Sequence, residues 1–468
     1  MLLITLGVLA AGCPFITYHA TEQRYPPHAF PTEASPPEAP RARVYEGTLT
    51  LPTLKVEALS FTTSPFPMDR VGRGYPYPNL DRRRRRPDKD FEDRTWKTVV
   101  LENEYLKVTT LPDLGGRVFE AIFKPTGEQM FHRVNRLAPF DIWECATSWM
   151  FATGGLRFEF PSWGHDRNTE EPWQYTLHTW PNGTASVSYV RVDVRTGLRF
   201  RNHISLDPGR TWIRLNCELS NPTDASHECM AWIITGLTGT KGIEFILPTT
   251  YAVEHGGEET YRWPKSAGVD WSHFRNWRRM QAFFALDWTS DFSGLYDHEN
   301  KRGVVRWARA EHMPGLKLWG SPRMGEHYYV SLYGGTCQTM EERLTLAPGE
   351  VKSWEELWYP LARTHGLTEA TREVALSLHT RDGKLVAAVM PTRVHAGATL
   401  HITRGAKTLL KKTVDLTPQT PLVETIDGAG EGKTLTVRIT GAEARVLMNR
   451  TLEVDAIRPV FRMDAGKQ

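Results

Sequence analysis

Arg117 follows the turn Pro112-Asp113-Leu114-Gly115-Gly116, where two glycines let the backbone take positive φ or approach a neighbour closely. An arginine just past such a turn can point a rigid fork of donors into a cleft; a surface arginine beside a hairpin is the plainer reading. His165 sits in a polar, glycine-containing loop with Asp166 and Arg167 beside it. An imidazole so placed suits acid–base work or contact with a ligand hydroxyl near neutral pH. His255 precedes Gly256-Gly257, which again allow close approach, and Trp263 and Asp270 follow in the same long polar-aromatic stretch, His255–Trp277. The tryptophan could stack on a flat apolar ring face and the aspartate accept from hydroxyls. Core packing accounts equally well for any single tryptophan.

Other chemistries find no residues. There is no glycine-rich phosphate loop, no GxSxG and no HExxH. No CxxC pair or Cys/His ligand spacing suggests zinc, and no compact aspartate cluster suggests calcium, so neither metal nor cofactor is expected. Net charge is +3 over 468 residues, which gives no case for nucleic acid. The run Arg82–Arg86 could meet an anionic polymer or headgroup, but with that balance a solvated loop is the better reading. Cys217 and Cys229 flank a hairpin; a bridge and two buried free thiols are both open readings.

The elements that must position these groups are strands. From Thr95 to Pro360 the chain is a succession of β-rich runs, such as GTASVSYVRVDV, LRFRNHISLD and TWIRLNCELSN, punctuated by Gly, Asp-Pro or Asn-Pro. Helical periodicity is sparse, so the fold class is all-β with large facing sheets. The supply of 16 Trp, 15 Tyr and 19 Phe exceeds a strand's ordinary need, and most should pack between sheets. After a linker at Thr364–Arg372, residues 373–459 lose tryptophan entirely and alternate Thr, Val and Leu in short runs, which reads as a small immunoglobulin-like β-sandwich.

The N-terminus carries an address. Leu2–Gly12 is apolar, too short to span a bilayer, and ends in small residues before Cys13. LAAGC resembles a bacterial lipoprotein box, which implies lipidation of Cys13, a membrane anchor and a cell-envelope location, or secretion if the box is not used. No Lys or Arg precedes the run, and Ala10 stands where that pattern prefers Leu. Residues 14–42, rich in Pro, Ala, Glu and Thr, read as a disordered tether, leaving 43–363 as the main domain.

The order of LENEYLKVTTLPDLGGRVFEAIFKPTGEQMF at Leu101, YPYPNLD at Tyr75, GGLRFEFPSWGH at Gly154–His165, EHGG…RWP…GVD from Glu254, GLKLWG at Gly315 and PGEVKSWEELWYP from Pro348 resembles a bacterial domain family with the aldose 1-epimerase, galactose mutarotase-like supersandwich fold. The resemblance runs from about Val44 to Pro360. Its members often carry tetratricopeptide repeats, of which this chain shows none. It implies a supersandwich and a carbohydrate substrate, oligo- or polysaccharide, but no particular reaction. It also implies a cleft across the large sheet with acid and base groups. His165, His255 and Glu159 become the candidate catalytic residues, and Arg117, Trp163, Arg157, Trp263, Asp270 and Lys317 the candidate substrate contacts.

Two positions depart from the family pattern. Arg157 stands where a glutamate is usual, with Glu159 two residues on and so on the same strand face. Ser331 replaces the acid of a Tyr-x-Glu run, and a serine supplies no base without help. The readings are therefore a glycan-acting enzyme using acid–base chemistry, a non-catalytic glycan-binding lipoprotein, or a structural envelope component. The first two differ in whether the cleft holds a pair of acids; the third expects the cleft filled by side chains.

Overall fold

The computed structural model describes residues 41–55, 60–63, 76–79, 91–137, 154–161, 167–169, 171–321, 328–427, 434–453 and 458–459. The leader with Cys13, nearly all of the tether, Arg82–Arg86, Cys145, Trp163 and His165 lie outside them.

The alternation of apolar and polar residues gives strands with two unlike faces, which must be covered on at least one side. Among the described residues the result is all-β, with only short 3-10 turns besides. Two large antiparallel sheets of 12 and 8 strands face each other. The larger runs from Arg43–Leu54 at one edge, through Phe91–Glu102, Leu106–Leu111, Arg117–Phe123, Gly155–Glu159, Trp232–Gly239, Tyr328–Gly335, Gly315–Ser321, Gln281–Ala285 and Tyr251–Glu254, to Thr260–Arg262. The smaller is centred on the long strand Val351–Ala362, between Arg302–Trp307 and Ile213–Ser220.

Between the sheets lies one continuous apolar core, to which Val118, Leu156 and Phe158 contribute from one side and Phe200, Trp354 and Trp358 from the other. A buried ion pair sits with these residues: Arg306 donates from Nε and Nη2 to the two oxygens of Glu356, both at 2.9 Å. Trp358 Nε1 adds a third bond to that carboxylate, at 3.0 Å. Gly334 lies over this arginine, where any Cβ would collide with the guanidinium.

The small sandwich follows, with sheets of five and four strands around a core of its own. The stretch expected to be a linker is ordered. Glu369–Ala370 already pairs with Val374–Arg381, and Tyr359 Oη donates to Thr371 O at 2.7 Å. Glu373 clamps the two sandwiches, accepting from Arg210 Nη1 of the large one at 2.9 Å and from Arg445 Nη2 of the small one at 2.7 Å. Cys217, Cys229 and Cys337 are buried free thiols, so the 217–229 bridge does not form. Cys217 belongs to the eight-stranded sheet, whereas Cys229 ends a separate two-stranded ribbon.

Candidate functional site

Because side chains alternate along a strand, half of the twelve-stranded sheet faces away from the core. Leu156 and Phe158 point inward, so Arg157 and Glu159 point outward. Register then fixes their neighbours. Arg157 pairs with Ile234, Ile234 with Tyr333, Tyr333 with Lys317, Lys317 with Phe284 and Phe284 with Val253. In the adjoining row Trp319 pairs with Ser331 and with Ala282. A second cluster, separate from the inter-sheet core, therefore forms on this outer face from Trp232, Ile234, Phe284, Trp319, Tyr329 and Tyr333.

At one end of that face Lys317 Nζ lies 3.0 Å from His255 Nδ1. Phe284 is the platform for both. His255 stacks on its ring with centroids 5.4 Å apart, and Nζ stands 5.0 Å above it. Met340 Sδ closes the other side at 3.3 Å. Lys317 is 5 % exposed. Burial pushes its pKa down to about 7, against the attraction of Glu341 and Glu159. Burial, and then Lys317 itself, push His255 down to about 3. At neutral pH the imidazole is therefore uncharged, and its Nδ1 shares a hydrogen bond with the amine.

At the other end Arg157 Nε donates to Glu159 Oε1 at 2.7 Å. Both are buried, and burial works against the arginine's charge while Glu159, Tyr329 and Tyr333 reinforce it, with the net shift upward. Glu159 Oε2 has no hydrogen-bond partner among the described residues. Between the ends, Ser331 lies on the same strand face as Tyr329 and Tyr333, whose hydroxyls are held protonated by burial. Two glycines make room. At Gly155 (φ +70) a Cβ would run into the Val118 carbonyl, and at Gly236 into the Tyr329 hydroxyl.

Arg157, Glu159, His255 and Lys317 thus share one face. Three expectations need correction. Arg117 lies on that face, since its neighbour Val118 pairs with Leu156, but its guanidinium is fully buried. It donates to Leu114 O at 3.2 Å and to Thr169 O at 3.1 Å, so it ties the Gly-Gly turn to the 3-10 turn at Arg167–Thr169. Trp263 points into the inter-sheet core, 5.9 Å from Phe283, because a large apolar ring gains more there than on a polar rim. Asp270 organises its own loop, accepting from Ser272 Oγ at 2.6 Å and from Ser272 N at 3.2 Å. That loop, His255–Trp277, is not irregular throughout. It contains short strands at Thr260–Arg262, Lys265–Ser266 and Val269–Asp270.

Tyr333, Phe284 and Trp319 were not among the residues singled out from sequence. The signal was present in YYVSLYGG, where Tyr329, Ser331 and Tyr333 recur at the spacing of one strand face. The expected open groove is closed over Lys317, Trp319 and Tyr333. His255 is the partly exposed member of the set. Among the described residues, no group of three or more His, Cys, Asp or Glu is placed to hold a metal ion. Nor is any helix there long and apolar enough to cross a membrane.

The described strands define an all-β protein, a large sandwich of two facing sheets with an appended small sandwich. The chain belongs to the family described as "Domain of unknown function (DUF5107)", whose model matches residues 69–334. Residues 369–449 match the second domain of a YphG-like protein. Among solved structures, a TPR-domain containing protein from Parabacteroides distasonis is 21 % identical, with a TM-score of 0.59 over 68 % of this chain; the chain spans about half of that protein, 55 % of its length. A galactose mutarotase-like protein from Clostridium acetobutylicum is 12 % identical over 57 % of this chain and 96 % of its own, with a TM-score of 0.45. A galactose mutarotase related enzyme from Lactobacillus acidophilus is 14 % identical over 57 % and 98 %, with a TM-score of 0.41.

Proposed function

We propose that this chain is a carbohydrate-active protein of the cell envelope, held by lipid at Cys13, that moves protons on a saccharide at the outer face of its large sheet. The observation that carries the reading is the Lys317–His255 contact of 3.0 Å, with the amine tuned to about 7. An acid–base group works best when its pKa sits near the operating pH. Lys317 is then the group that gives and takes the proton, and His255, the more exposed of the two, holds it in place. Tyr333 and Tyr329 offer hydroxyl donors that stay protonated, and Arg157 with Glu159 offers a fixed donor and acceptor for a hydroxylated rim.

Hydrolysis of a glycosidic bond fits less well. It needs two carboxyl groups flanking the bond, and Glu159, the carboxylate beside Tyr329 and Tyr333, is already paired with Arg157. Anomer interconversion is the better match: a base takes the proton of the O1 hydroxyl while an acid gives one to the ring oxygen, and the bond between C1 and that oxygen opens and re-closes.

One observation favours a second reading. Burial of Lys317 and the tyrosines, with Arg157 at a usual acid position, suits a non-catalytic glycan binder or a purely structural sheet. A glycan array on the full chain, followed by product analysis of each hit, separates the readings. Binding with a changed product supports the enzyme, binding with unchanged glycan supports the binder, and no binding at all sinks both.

A further inference from the structure

The Glu373 clamp is one contact between the two sandwiches. Another brings three imidazoles together: His298 from the large sandwich, His365 from the connection and His379 from the strand Val374–Arg381 of the small one. His298 Nε2 stands 2.8 Å from Glu244 Oε2. Tyr296 Oη accepts from His365 N at 3.1 Å, and its ring lies edge-on to His298, 5.0 Å away. His365 and His379 meet with ring centres 5.5 Å apart. Both nitrogens of His379 are sealed from solvent and have no hydrogen-bond partner. The contact is loosely filled, because a cavity of 240 Å³ separates the walls that carry these rings, and a void forfeits the dispersion attraction that would hold them together.

The charges around His379 oppose a proton on it. Its own strand contributes Arg381, the connection His365 and the large sandwich His298. Arg458 is its register partner on the neighbouring parallel strand, and Val386, opposite on the other side, is apolar. Burial, and then Arg381, Lys301 and His298, lower His365 as well. The nearby carboxylate, Glu244, is engaged by His298. A charged His379 would thus have neither solvent nor a counter-ion while the contact stays closed.

We infer that this histidine cluster is an acid-released latch: His379 takes up a proton only when the connection and the small sandwich lift from the large one, so acid opens this contact while Glu373 keeps the two sandwiches joined. Burial first, then His365, Arg381 and His298, push His379 down to about 4 from an ordinary 6.5, to which it returns once the contact opens. Below pH 6.5 the opened form therefore binds more protons, and the closed form loses stability as pH falls from there towards 4. Those two values make the opened fraction about 20-fold larger at pH 5 than at pH 7. Glu373 stays ionised through that window: burial opposes its charge, but His395, Arg210 and Arg393 outweigh it. Lys317 takes no part, so the latch and the outer face can fail separately.

The test is hydrogen exchange by mass spectrometry on the full chain from pH 7 to pH 5, each amide rate taken relative to its intrinsic rate at the same pH. Protection over the connection, Thr364–Arg372, should fall about 20-fold, while Ile213–Ser220 in the large sandwich keeps its own. His379→Phe should show no such fall. Arg381→Gln, an exposed change that removes one opposing charge, should leave protection at pH 7 unaltered and make the fall several-fold smaller. Should His379→Phe not fold at pH 7, Arg381→Gln carries the comparison. The inference fails if protection of the connection is flat with pH in the unmodified chain, or if it falls as steeply in the variants. It fails too if Ile213–Ser220 loses protection in step, which is general acid unfolding.

Discussion

Lys317 and His255 meet at 3.0 Å although the strand Gln281–Ala285 runs between theirs. The side chains reach each other because Ala282, directly beside the histidine, leaves the space open, while Phe284 supports both. The geometry depends on three strands holding register, and several consequences can be measured.

Lys317→Met should stabilise the protein at pH 6 and lose that advantage by pH 10. The folded lysine has a pKa of about 7, against an ordinary value of 10.5 in the unfolded chain. Between these limits the unfolded chain binds more protons, so the parent gains stability as pH rises through that window, and the methionine variant does not. Denaturant melts at pH 6, 8 and 10 read this out. A gap that stays constant with pH means the amine is not desolvated as described.

Glu159→Gln should cost about 3–5 kcal/mol, because it leaves the buried Arg157 without its counter-charge. The double change Arg157→Met with Glu159→Leu should cost less than the single one, since it removes the charge and its partner together. Equal or greater loss in the double variant would show that packing, not charge, dominates there. The comparison is made by chemical denaturation.

Arg117→Met should lower stability by about 2–4 kcal/mol, as two buried carbonyls lose their donor. It should leave saccharide affinity of the surviving folded protein within twofold. Loss of affinity at unchanged melting temperature would restore Arg117 as a ligand contact.

Glu373→Gln should loosen the junction of the two sandwiches by about 2 kcal/mol at pH 7. Burial alone would raise this carboxyl's pKa, but His395, Arg210 and Arg393 hold it well below the usual range. Its contribution is therefore full above about pH 4.5 and fades as pH falls towards its folded value. The gap between parent and variant melts should shrink in acid; an undiminished gap at pH 2 would argue against the clamp.

The all-β class was legible because the strands alternate and turn residues punctuate them. The side-by-side placement of Arg157 and Glu159 followed from a two-residue spacing that any strand converts into a shared face. The contact of Lys317 with His255 was not legible, since it needs the register of two strand pairs that no local pattern reports. Arg117 and Trp263 were misjudged for a common reason. An arginine after a glycine turn and a tryptophan in a long loop look the same in sequence whether they face solvent, ligand or core. Burial and available carbonyls decided both.

The central claim is proton transfer by Lys317 on a sugar. Exchange NMR at pH 7, following interconversion of the α and β forms of a panel of aldoses, tests it most directly. The unmodified protein should accelerate at least one aldose, and Lys317→Met should lose about 10²–10⁴-fold of that rate. No acceleration of any aldose, or a methionine variant as fast as its parent, would contradict the account.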